Sequence, residues 1–149
     1  MAIVETIRTE MTGAMKSGDA ERRDIMRLLL SALNNARIEF GHELSDEEAV
    51  TTLQREAKQR RDSIEAYADG GRDDLVAVEQ RELDVISTFL PAALTEEEVA
   101  TLVNAVIAEV GAESPGDVGK VMKPVMERVA GRADGKRVSE LVRELLAAG

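Results

Sequence analysis

The chain has 149 residues, 44% of them hydrophobic and only 2% aromatic, so its interior must be Leu, Val, Ile, Ala and Met, a composition that suits helix packing better than sandwich strands. Its formal net charge of -10 means that a polyanion can be held only by a local basic patch. The absence of cysteine excludes a disulfide framework, a thiol nucleophile and a cysteine metal site, and it fits a reducing compartment, so the cytoplasm is the expected location.

The opening MAIVETIRTEM carries Glu5 and Glu10 inside an amphipathic repeat, and no apolar run approaches the roughly 18 residues of a membrane span. Neither secretion nor membrane insertion is expected. Ile3, Ile7, Met11 and Met15 share one helical face, and Gly18 ends that helix. Asp19 is a suitable N-cap for a second helix, whose broad face of Ile25, Leu28, Leu29, Ala32, Leu33 and Ala36 marks it as central; its end is expected near Phe40 and Gly41.

Ser45 with Glu48 three residues later is a capping box, which starts a third helix at Asp46 and carries it to about Ala68. Asp69, Gly70 and Gly71 form a turn, and a fourth helix with Leu75, Val76, Leu83, Ile86 and Leu90 is predicted from about Arg72 until Pro91 stops it. In an antiparallel hairpin centred on Gly70, positions equidistant from the turn meet. Arg61 is therefore expected near Glu79 and Lys58 near Glu82, as pairs of opposite charge.

Leu90 to Leu94 is the best domain boundary, giving an N-terminal helical domain over 1–91 and a C-terminal one over 92–149. Thr95 and Glu98 form a second capping box, Glu96 begins a fifth helix, and Gly111 is its C-cap. Ser114 caps a sixth helix with Pro115 at its first position. Pro124 removes the bond to the Lys120 carbonyl, so an irregularity is predicted between these two residues. Gly131 then ends the sixth helix and Asp134 caps the seventh. The expected fold class is all-α, with four helices followed by three.

The last helix pair carries the one feature of charge that suggests a partner. From Val118 to Arg143, seven basic residues stand against Glu127, Asp134 and Glu140, a local net charge of +4 on an acidic chain. Backbone amides at the GRADGK turn, made by Gly131, Asp134 and Gly135 and flanked by Arg132, Lys136 and Arg137, can be read as a phosphate site, with Lys120 and Lys123 beside it. The plainer reading is a C-cap glycine followed by an Asp N-cap, and the Asp134 carboxylate would itself occupy the anion position.

Other constellations point to structure. Arg60, Arg61 and Arg72 with Glu79 and Glu82 resemble a carboxylate and arginine site, but charge pairing that fixes hairpin register explains them more simply. His42 is the sole histidine, so neither a metal site nor a catalytic triad is expected around it. There is no GxSxG elbow, no P-loop and no cluster of aromatic residues for base stacking. No catalytic residue, metal or cofactor is assigned.

Taken together, LQREAKQRRDSIEAYADGGRDDL from Leu53, FLP at Phe89 to Pro91, GKVMK from Gly119 and GRADGKRVSELV from Gly131 resemble the YqeY family, over nearly the whole chain. Members of that family resemble the tail domain of GatB, a component of the aminoacyl-tRNA amidotransferases. The likeness to that tail centres on the second domain. It implies a helical domain followed by a small three-helix, GatB-tail-like one, and a link to tRNA, which the tail helps to hold while mischarged Glu-tRNA or Asp-tRNA is amidated. Ala130 departs from the pattern, in which a lysine often precedes the turn. The expected function is that of a non-catalytic tRNA-associated module contacting phosphate through Lys120, Lys123, Arg132, Lys136 and Arg137. Alternatives are a module that binds a tRNA synthetase or another translation protein, and a carbon-nitrogen ligase component using glutamine as amido-N-donor.

Overall fold

The structure, a computed structural model, describes residues 2–148, and they form seven α-helices and one short 3-10 turn without a strand. The chain divides into two compact units, Met1–Leu90 and Pro91–Gly149.

In the first unit, α1 spans Ala2–Ser17, α2 Ala20–Phe40, α3 Asp46–Asp69 and α4 Asp73–Ser87. The caps follow the local chemistry. Asp19 accepts a hydrogen bond from the Arg22 N–H at 3.1 Å, and Gly41 ends α2 in the left-handed region with φ +78°. Ser45 and Glu48 exchange side-chain and backbone bonds at 3.1 and 2.9 Å. Met26, Leu29 and Leu33 of α2 lie at the centre of the core, against Ile7 of α1, Leu53 of α3 and Ile86 of α4. In α4, Ile86 is the one fully buried residue, and α3 buries nothing beyond Ala57. The outer halves of this hairpin are therefore held by half-buried side chains. The fourth helix ends at Ser87, earlier than predicted: Thr88, Phe89 and Leu90 donate to carbonyls three residues back and form a tighter turn before Pro91.

The second unit holds α5 (Glu96–Val110), α6 (Val118–Val129) and α7 (Gly135–Ala148). Its core is almost entirely valine: Val99, Val103 and Val106 of α5 meet Val121, Val125 and Val129 of α6 and Val138 and Val142 of α7. Thr95 with Glu98 supplies the predicted capping box, and Gly111 closes α5 at φ +68°. Two expectations are corrected here. The irregularity lies before Lys120, in the 3-10 turn Pro115–Asp117, while α6 runs unbroken through Pro124. Asp117 explains the early turn, because its carboxylate accepts from the Glu113 N–H at 2.9 Å and leaves α6 to begin at Val118. The second concerns the helix end: α6 stops at Val129 with Ala130, not glycine, as its left-handed C-cap at φ +49°, and Gly131 follows at φ +75°.

Candidate functional site: the α6–α7 turn and its arginines

The turn between α6 and α7 is tied to the segment that precedes α5. The Leu94 N–H donates to the Arg132 carbonyl at 2.8 Å, and Arg132 Nε donates to the Ala92 carbonyl at 2.9 Å. Arg132 is thus half-buried and engaged as a backbone clamp. Asp134 sits at the start of α7, its carbonyl accepting from the Val138 N–H at 2.9 Å and its Oδ1 facing the Lys136 N–H at 3.4 Å. The carboxylate thus lies beside a backbone amide of the first turn of α7. Gly135 is the first residue of α7, and a Cβ there would meet Met126 Cε at an ordinary 3.5 Å, so nothing in the packing demands glycine.

Arg137 lies on the flank of α7 that faces α5. Its guanidinium donates to both oxygens of Glu96, to Glu140 at 3.1 Å and to Glu144 at 3.3 Å. Those bonds raise the Arg137 pKa and hold the Glu96 carboxyl below the usual carboxylate range. Arg128 is paired in the same way with Glu109, whose carboxyl it also holds low. Lys120 is exposed, with its Nζ 3.5 Å from Asp117. Lys123 is exposed on the outer face of α6, and Lys136 is exposed near the start of α7.

Lys120, Arg128 and Arg137 of the cationic segment therefore face carboxylates of the folded chain. Two of its arginines take carboxylates from α5, a helix 19 and 41 residues away in the chain. Across 91–149, ten acidic residues outnumber seven basic ones. Sequence reasoning missed Glu96 and Glu109 because no local pattern connects them to Arg137 and Arg128.

In the first unit, the arginine that bridges the hairpin is Arg60. Its Nε donates to Glu82 at 3.2 Å and its Nη1 to Glu56 at 3.0 Å, with all three side chains largely buried. The expected Arg61–Glu79 and Lys58–Glu82 pairs do not form; Lys58 pairs along its own helix with Asp62 at 3.0 Å. The physical reason is facing. Arg60 lies on the side of α3 that meets α4, whereas Arg61 is exposed. Glu79 also sits near Arg60, and burial pushes its carboxyl up, helped by the charge of Glu82. His42 is bound in its loop, with Nδ1 2.7 Å from the Glu43 carbonyl and Nε2 3.4 Å from Glu48. No group of three or more metal-ligating side chains occurs among the described residues, and none of their helices is long and apolar enough to cross a membrane.

The fold defines a class: an all-helical protein of two units, several of whose arginines pair with its own carboxylates. A family model described as "Yqey-like protein" matches residues 4–146, and the chain belongs to the YqeY family. Curated relatives share a name, "Altered inheritance of mitochondria protein 41, mitochondrial". The one from Pyrenophora tritici-repentis is 27% identical over 149 residues, covering 98% of this chain and 82% of the relative. That of Saccharomyces cerevisiae (strain ATCC 204508 / S288c) is 32% identical over 90 residues, 60% of this chain and 49% of the relative. The Eremothecium gossypii protein is 32% identical over 98 residues, 63% and 54%. The chain thus spans about half the length of the yeast relatives in these matches. Their names correct the cytoplasmic expectation, pointing to the mitochondrion and not to the general cytoplasm. Lack of cysteine constrains redox environment alone, and several compartments satisfy it.

Proposed function

We propose that the chain is a non-catalytic helical module of the translation machinery that works by docking a protein partner, such as a tRNA synthetase, and does not hold tRNA unaided. The link to translation rests on the resemblance of Gly131–Lys136 and its helices to the amidotransferase tail. The choice of a protein partner rests on one observation: Arg137, which the expected RNA site would use, is bound by Glu96, Glu140 and Glu144. A phosphate would have to displace those carboxylates from a protein of net charge -10.

A second reading keeps direct tRNA contact, favoured by the exposed Lys120 and Lys123 on α6. Two experiments separate the readings. Purification from the native host after nuclease treatment should retain a stoichiometric protein partner, and loss of every partner with the RNA would reverse the preference. Titration with total tRNA should show weak binding that vanishes at moderate salt, with a Lys120→Glu plus Lys123→Glu variant binding less and an Arg132→Glu plus Lys136→Glu variant testing the turn. A glutamine-dependent amidation assay on mischarged tRNA with this chain alone should give no turnover.

A further inference from the structure

An open cleft in the first unit lies between α1, α2 and the loop 41–45, with a volume of about 630 Å³, within the range of small-molecule sites. Its apolar lining includes Leu30, Leu33 and Leu44, the last two 2% exposed. Arg8 of α1 and Arg37 of α2 are both among its lining residues.

These arginines differ from Arg137 in how they are held. Arg8 makes one contact, an exposed pair with Glu5 at 3.1 Å on its own helix, leaving Nε and Nη2 without an acceptor among the described residues. Arg37 donates through Nε and Nη2 to a neutral partner, the Asn34 side-chain oxygen, at 3.4 and 3.0 Å. Its nearest carboxylate, on the highly exposed Glu43, is 3.8 Å from Nη1, too far for a hydrogen bond. Asn34 therefore orients the guanidinium without neutralising it, and the Nη1 edge carries only the exposed ion pair with Glu43. Exposed pairs of the Arg8–Glu5 kind are weak and exchange readily for a better acceptor.

We propose that this cleft binds a small organic monocarboxylate, its acid group accepting from Arg8 and, in place of Glu43, from the Nη1 edge of Arg37, and its apolar body resting on the half-buried Leu30. Carboxylate is the planar acceptor that a guanidinium fork matches. A multiply charged phosphate is disfavoured, because Glu5 and Glu43 line the same cleft and the protein is acidic overall. The site is separate from the α6–α7 turn, so it does not depend on the function proposed above.

The test is amide-resolved NMR titration of the full chain with octanoate, octanol and inorganic phosphate. Octanoate should saturate with millimolar or tighter affinity and shift amides around residues 4–8, 30–37 and 43–44. Octanol and phosphate should each bind at least tenfold more weakly. Arg37→Gln and Arg8→Gln, both on exposed helix surface, should keep the helical spectrum and weaken octanoate at least tenfold, while Lys58→Gln on α3 should leave it unchanged. Octanoate that fails to bind, that binds no better than octanol or phosphate, or that is indifferent to both arginine variants overturns the proposal.

Discussion

Arg137 of α7 and Glu96 of α5 face each other through a two-pronged contact, with guanidinium Nε and Nη2 each donating to one carboxylate oxygen. The pair joins the N-terminus of α5, where a carboxylate is favoured by the helix dipole, to the helix that follows the GRADG turn. Arg137 is in this way engaged by the chain's own carboxylates beside the turn.

Acid should weaken this arrangement. Glu96, Glu109 and Asp117 all have their folded pKa depressed, the first two by arginine bonds and Asp117 chiefly by the Glu113 backbone N–H. A depressed carboxyl contributes stability that is fully present above its ordinary pKa, about 4.5 for Glu and 3.8 for Asp, and is lost as the pH falls through the lower folded value. Thermal melts from pH 7 to pH 3 should show falling stability below about pH 4.5. Arg137→Gln should melt lower than the parent at pH 7 and lose less of its stability on acidification.

Glu79 has the opposite sign. Burial raises its folded pKa, so ionisation at neutral pH costs stability, and the cost disappears as the pH falls below the folded value. Glu79→Gln should therefore be modestly stabilising at pH 7 and neutral near pH 3. Urea melts at the two pH values check this.

Arg60→Ala should be the most damaging surface-region change in the α3–α4 hairpin. It leaves Glu56 and Glu82, each 17% exposed at the side chain, without their cation and beside Glu79. Removing one partner of a fully buried pair costs about 3–5 kcal/mol; with partial exposure we expect about 1–2 kcal/mol in urea denaturation. Arg61→Ala, one residue on and exposed, should stay within about 0.5 kcal/mol.

Ala130→Gly should stabilise the second unit. Ala130 adopts φ +49° at the C-cap of α6, a conformation costing a non-glycine residue roughly 1 kcal/mol, and it is exposed, so no packing is lost. A gain of about 1 kcal/mol or less in equilibrium unfolding is expected, less because glycine also frees the unfolded chain.

The sequence by itself determined the helices. Apolar spacing, the Ser45–Glu48 and Thr95–Glu98 capping boxes and the glycines at 18, 41 and 111 act within a few residues, and each lies where that local chemistry requires. The motifs from Leu53 to Val142 also carried the family. Only the tertiary structure decided the charge pairing, because salt bridges depend on which helix faces meet. Arg60 and Arg61 are neighbours in sequence yet point to different surroundings, and Glu96 meets Arg137 across 41 residues of chain. A one-dimensional charge count adds up residues that are near in sequence, whereas the field at a surface sums those that are near in space.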